Sequence, residues 1–329
     1  MKFASRFVLA GLALGLAMSD AAAQTERWAL AIHGGAGTIS RDEPAAEITA
    51  RREALTAALA AGQKILEEGG QALDCVEMVI RLLEDRPEFN AGKGAVFTHD
   101  GSHQLDASIM DGRTLLGGAV ANVSTVANPI SLARLVMEKS RHVLLMGKGA
   151  EQFALEMGIP AVGQEYFHTD HRYKQLQEAL ENDDYGLAGK IEWKYGTVGC
   201  VVLDTQGNLA AGTSTGGMTN KRFGRVGDSP IVGAGNYADN RSCAISCTGT
   251  GEVFLQHTVA RSVAAMMQYG DQSLEHAVKH MIHDELSEGD GGLIAVSKDG
   301  EIVMEYNSQG MYRGAADSSG RFDVAIWDE

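Results

Sequence analysis

The sequence predicts an α/β protein in which helices cover stacked antiparallel sheets, and three observations carry that expectation. Short apolar runs joined by tight turns read as hairpins: "TVGCVVLD" and "LAAGTST" around "TQGN", and "GLIAVS" and "EIVMEYN" around "KDG". Hairpins imply antiparallel pairing. Other stretches, such as "EITARREALTAALAAGQKILEEGG" and "ALDCVEMVIRLLED", place apolar residues at helical spacing. Glycine is abundant (40 residues against 5 prolines) in a chain that is 44% hydrophobic. That balance describes a packed protein with many tight backbone positions, not a disordered one. Helices outside two stacked sheets give a layered α/β sandwich.

The elements follow in order. Lys2 and Arg6 precede the apolar run "FVLAGLALGLA", and Ala21-Ala22-Ala23 offers a small-residue cleavage site, so residues 1–23 read as a signal peptide. A periplasmic or secreted product is expected. No later apolar run reaches membrane-spanning length. The net charge of −15, with no basic stripe, argues against nucleic acid or anionic lipid as a partner. "WALAIHGGAG" is a buried strand running into a glycine-rich turn, followed by the two helices quoted above. "GAVFTHDGSHQLDASIMDG" reads as two strands around an Asp-Gly turn, and "ISLARLVMEKS" and "GKGAEQFALEMG" as helices. From about Glu165 to Lys194 the chain turns polar with weak periodicity, the best linker it contains. Beyond it come the two hairpins, with helices starting near Gly251 and Ser273 between them.

Several motifs are weak. "HGGAGT" follows a strand but lacks the G-x-G-x-x-G spacing and the Lys-Ser/Thr of a phosphate loop, so a tight turn near a buried site is the better reading. His276, His280 and His283 share a helical stripe, yet no H-E-x-x-H pattern accompanies them, and a solvated helix face is favoured over zinc. No G-x-S-x-G elbow is present. Cys75, Cys200, Cys243 and Cys247 read as buried free thiols, with a Cys243–Cys247 bridge as the rival.

The second half carries Thr197, Thr213, Thr215, Thr219, Thr248 and Thr250. Strand preference explains threonine itself, but not its companions. "GRVGDSP" puts Arg225 and Asp228 three apart in a glycine-rich loop. A guanidinium that clamps an α-carboxylate, beside a carboxylate that takes an α-ammonium, suits a free amino acid. "SCTGTGE" places Thr248 and Gly249 on a sharp turn before a helix.

These stretches, with "AIHGGAGT", "FNAGKGAVFT", "LDASIMDG", "GAVANVSTVANPI" and "GTVGCVVLDTQGNLAAGTSTGGMTNKRFGRVGDSPIVGAGNYADN", resemble the plant-type asparaginases, or isoaspartyl peptidases, of the N-terminal-nucleophile hydrolases. The resemblance runs from Trp28 to about Arg313. It implies a four-layer αββα sandwich that cuts itself between Gly196 and Thr197. The products would be an α subunit (24–196, ending in the polar linker) and a β subunit (197–329). Thr197 would be the nucleophile, its freed α-amine the base, and Thr215 its support. Thr248 and Gly249 would form the oxyanion hole. Asn90 would lie close by, and Arg225, Asp228 and Gly251 would hold the substrate. The carbonyls of Leu83, Glu84, Arg86, Phe89, Ala91 and Lys93 would hold a structural Na⁺. No cofactor is expected for catalysis. The implied activity is cleavage of β-aspartyl dipeptides and of the side-chain amide of L-asparagine, by a homodimer of αβ units. The export signal raises a related alternative, a glycosylasparaginase acting on sugar-linked asparagine. An uncleaved amino-acid-binding protein of the same fold is a second alternative.

Overall fold

Twelve strands and their covering helices are defined in the computed structural model, which describes residues 27–182 and 196–328. The first half supplies β1 (Ala29–Gly37), β2 (Leu105–Asp111), β3 (Gly117–Val123) and β4 (Leu144–Met146). It also supplies α1 (Ala45–Glu67), α2 (Ala72–Glu84), α3 (Pro129–Lys139), α4 (Gly147–Glu156) and α5 (Asp170–Glu181). The second half supplies β5 (Val198–Leu203), β6 (Leu209–Thr215), β7 (Asn236–Ala238), β8 (Cys243–Gly249), β9 (Gly291–Ser297), β10 (Ile302–Tyr306), β11 (Gly310–Asp317) and β12 (Phe322–Ala325). With them come α6 (Gly251–His257), α7 (Val259–Gly270) and α8 (Leu274–Lys279). The segment read as a signal peptide lies outside the described residues.

One sheet has the order β12-β11-β1-β5-β6-β2-β3-β4 and the other β10-β9-β8-β7. Alternation along each strand builds the layers. Leu30 and Ile32 of β1, with Cys200 and Val202 of β5, face Leu55 and Leu59 of α1 and Val79 and Ile80 of α2. Each of those large side chains is fully buried, worth ~1.5–3 kcal/mol over exposure. The intervening Ala29, Ala31, Val201 and Ala211 point the other way, onto Ala244, Ile294 and Val296 of the second sheet. Small residues on these inner faces let the sheets approach. The far face of the second sheet, Ile245 and Leu293 included, is covered by Val259, Val263, Leu274 and Val278 of α7 and α8. The order is helix, sheet, sheet, helix.

Two local expectations change, and the reading of the cysteines holds. Of the two strands expected around Asp100–Gly101, only β2 forms; Thr98 makes an isolated bridge to Lys221. The Thr98 hydroxyl bonds to the Ser102 carbonyl, 2.8 Å away, and Asp100 accepts from the Ser102 hydroxyl. Such local bonds compete with a strand ladder. The polar stretch read as linker is helical in its first part: Thr169 caps α5 by accepting from the Arg172 N–H, and Arg172 and Leu176 are buried. Residues 183–195 lie outside the described residues. The four cysteines are buried and free. Cys243 and Cys247 sit four apart on β8, about 13 Å along an extended strand, too far to bridge.

Candidate active site

The strand ends gather the threonines. β5 runs antiparallel to both β1 and β6, with Gly199 opposite His33 and Val198 opposite Ser214. The start of β5, the end of β6 and the glycine turn of β1 therefore meet at one end of the sheet. Thr197 and Thr215 become cross-strand neighbours, and the Thr197 hydroxyl lies 3.2 Å from the Thr215 hydroxyl. Both are buried. Thr215 Oγ1 also accepts from the Gly217 N–H at 3.0 Å.

The "HGGAG" string is the seat of the Gly196–Thr197 peptide. Gly35 has φ +115°, and a Cβ there would stand 2.8 Å from Gly196 Cα. A Cβ on Gly196 would stand 2.5 Å from Gly35 Cα. The two glycines let two backbones touch, the use for which only glycine is suited. One residue on, the Ala36 N–H donates to Thr248 Oγ1 at 3.2 Å, bringing Thr248 beside the same peptide. Because that oxygen already accepts, the Thr248 O–H is left to donate. Gly249 follows with φ +153°, where a Cβ would strike the Asp290 carbonyl oxygen.

Arg225, Asp228 and Gly251 surround one spot. A Cβ on Gly251 would stand 2.7 Å from Arg225 Nη2 and 3.1 Å from Asp228 Oδ1. Asp228 is buried and its Oδ2 has no protein partner. Burial raises its carboxyl to about 7, with the Arg225 guanidinium pulling the other way. Arg225 donates from Nε and Nη2 to both oxygens of Glu252, at 2.8 and 2.7 Å. Glu252 was not anticipated; the only sequence hint is that it follows Gly251.

Two further residues, also unanticipated, lie beneath the Arg225 loop. Lys221, buried, donates to the Gln104 carbonyl at 2.7 Å and stands 4.0 Å from the buried Asp106 carboxylate. Asp106 accepts the Asn122 N–H, and the Asn122 amide donates to the Gly224 carbonyl, next to Arg225. A buried lysine leaves no periodic signal in a sequence, so only the fold finds this pair. Asn90 reaches the site through the turn after Thr215: its amide donates to the Gly217 carbonyl at 2.6 Å and accepts from the Val96 N–H at 2.9 Å.

The proposed ion loop lies between α2 and Gly94. Cβ atoms on Gly92 and Gly94 would fall 2.3 Å from the Glu84 carbonyl oxygen and 2.1 Å from that of Phe89. Glycines there keep open a cradle lined by carbonyl oxygens, hard donors that suit an alkali cation. The carbonyls of Arg86 and Ala91 each accept one backbone N–H and keep a second lone pair, while that of Leu83 accepts from both Asp85 and Arg86. Lys93 lies in the same turn. By contrast, His276, His280 and His283 are solvated: His280 pairs with Asp284 and His283 with Glu305. Among the described residues no group of three or more His, Cys, Asp or Glu side chains is placed to hold a metal.

Residues 26–326 match the family model described as asparaginase. The chain is 52% identical over 292 residues to the isoaspartyl peptidase of Escherichia coli K12, covering 86% of this chain and 91% of the relative. It is 46% identical to a probable isoaspartyl peptidase/L-asparaginase 2 of Arabidopsis thaliana, covering 92% of this chain and 99% of that one. It is 45% identical to the isoaspartyl peptidase/L-asparaginase of Mus musculus, covering 89% and 88%. Matches of this extent, on a helix–sheet–sheet–helix core, establish that the chain belongs to the asparaginase family and has the N-terminal-nucleophile hydrolase fold.

Proposed function

We propose that this chain cuts its own Gly196–Thr197 bond and then hydrolyses β-aspartyl dipeptides and the side-chain amide of L-asparagine through an acyl-Thr197 intermediate. The observation that carries the reading is the Thr197–Thr215 hydroxyl contact beside a peptide seated on Gly35. The names of the relatives support the same substrates and give no preference to sugar-linked asparagine.

In the precursor the Thr197 hydroxyl oxygen attacks the Gly196 carbonyl carbon and the peptide C–N bond breaks. Water then hydrolyses the ester, leaving a Gly196 carboxylate and a free Thr197 amine. An α-amine titrates near ~7.7–8.0, so it is available as a base where a lysine is not. In catalysis it takes the hydroxyl proton as the oxygen attacks the side-chain carbonyl of the substrate. The Thr248 O–H and the Gly249 N–H receive the oxyanion; one such donor is typically worth ~10²–10³ in rate. The amine returns its proton to the leaving nitrogen, then activates the water that releases aspartate. Arg225 takes the α-carboxylate and Asp228 the α-ammonium, while Thr215 fixes the direction of the nucleophile. When bound, Na⁺ in the Leu83–Lys93 turn would supply charge to a carbonyl cradle and stiffen the loop that carries Asn90.

Residues 1–23 direct the chain to the periplasm or medium, and no described helix is long and apolar enough to cross a membrane. Two αβ units pair, for which exposed Val143, Leu144 and Met146 at the sheet's edge strand are supporting apolar surface. The Gly196–Thr197 cut divides the chain into subunits 24–196 and 197–329.

The test is a denaturing gel of the purified protein, N-terminal sequencing of the smaller band, and aspartate release from asparagine, an isoaspartyl dipeptide and a sugar-linked asparagine. A band beginning Thr-Val-Gly-Cys, with turnover of the first two substrates, supports the reading. One uncut band that binds aspartate without turnover overturns it in favour of a binding protein. Turnover of the glycosylated substrate alone overturns the substrate assignment.

A further inference from the structure

We infer that His33 is a positioning residue for the nucleophile: one ring nitrogen holds the Thr197 carbonyl, and Ser246 and Thr213 fix the ring through the other. The inference rests on Thr197 being the nucleophile proposed above. His33 is fully buried in β1. Its Nδ1 lies 3.0 Å from the Thr197 carbonyl oxygen and its Nε2 lies 2.9 Å from Ser246 Oγ. A carbonyl oxygen only accepts, so Nδ1 carries the proton and donates. Nε2 is then an acceptor, and the Ser246 hydroxyl donates to it. Ser246 Oγ in turn lies 2.7 Å from Thr213 Oγ1, which lies 3.1 Å from the Gly235 carbonyl. All three side chains are completely buried.

The chain therefore admits one tautomer of the neutral ring. Burial pushes the His33 imidazole down to about 3, against a weaker upward pull from the Thr197 carbonyl, so the ring stays neutral. The sequence makes room for this arrangement. A Cβ on Gly199 would stand 2.0 Å from Ser246 Oγ and 2.2 Å from His33 Nε2. That accounts for the glycine two residues after Thr197. Fixing the Thr197 carbonyl sets the peptide plane that leaves its Cα, and so the direction of the hydroxyl. A displacement of about 1 Å there costs about 10²-fold in rate. His33 lies before the cut and Ser246 and Thr213 after it, so this contact grips the nucleophile from the other piece.

The test compares His33→Leu, His33→Asn and Ser246→Ala with the unmodified chain. Self-cleavage is followed by gel, and kcat and KM for asparagine are measured separately. His33→Leu should lower kcat about 10²-fold with KM changed by less than about twofold. His33→Asn puts an amide nitrogen where Nδ1 stands and should recover most of that loss. Ser246→Ala leaves the buried Nε2 without its donor and the ring free to shift, and should cost about tenfold in kcat. Wild-type kcat in His33→Leu, a loss confined to KM, or no recovery by His33→Asn overturns the inference. If His33→Leu does not fold, Ser246→Ala decides: a loss in kcat alone supports the inference and an unchanged kcat overturns it. An unmodified chain that is itself uncut and inert fails the nucleophile reading, visibly and separately.

Discussion

Substrate binding should weaken steeply as pH falls through about 7, because Asp228 takes up a proton there. Its carboxyl is raised to about 7, chiefly by burial, and its Oδ2 has no partner within the protein. A substrate ammonium supplies the missing cation and pairs only with the carboxylate. Below the transition KM should therefore rise about tenfold per pH unit. At about pH 5.5 the increase over pH 8 should be of order 30-fold. The kcat profile should differ. A bound ammonium keeps Asp228 ionised, so kcat reports the Thr197 amine, with its limb near ~7.7–8.0. The assay is initial-rate aspartate release at varied asparagine concentration across this range, for the unmodified chain and for Asp228→Asn. In the variant KM should be high and flat with pH. A KM in the unmodified chain that is the same at both ends of the range would refute the role given to Asp228.

Other expectations follow from single positions. Gly35→Ala forces a side chain into φ +115° and onto Gly196, a strain of ~1–3 kcal/mol before the clash is counted. Self-cleavage on a gel should slow by at least about tenfold. Gly251→Val should raise KM for asparagine by about 10²-fold, since its branches fill the gap between Arg225 and Asp228; kinetics with unchanged kcat would confirm that binding is what is lost. Glu84 is raised by burial to about 8, with Ser214 and Ile130 donating to it. Because the folded value lies above the unfolded one, its contribution is fully present below about 4.5 and is lost as pH rises through about 8. Glu84→Gln should therefore gain on the parent protein, by an amount of order 1 kcal/mol, in melts at about pH 9 compared with about pH 6.

Much of this was legible in advance because it depended on local pattern. The β5–β6 and β9–β10 hairpins have alternating apolar runs and turn residues, and both pair as expected. Arg225, Asp228 and Gly251 converge because the glycine-rich loop and the turn before α6 are short and specific strings. What the sequence did not reveal is long-range. His33 and Ser246 are 213 positions apart, and nothing in "AIHGG" announces a partner in β8. Lys221 and Asp106 look like surface charges until the fold buries both. The first part of the polar stretch misled for a related reason. Its helix contributes only Arg172 and Leu176 to the interior, and two buried positions in twelve leave too little periodicity to recognise.

The strand order has a consequence for the fate of the two pieces. In the larger sheet, β1 of the first half lies between β11 and β5 of the second, while β2, β3 and β4 continue outward from β6. A cut between Gly196 and Thr197 would thus free no edge. The fragments would be interlaced like the fingers of two hands, joined along three separate ladders: β1 with β11, β1 with β5, and β2 with β6. Separation would demand that all three open together. The new amino terminus would thereby stay in its setting, and pieces made in different molecules would be slow to exchange.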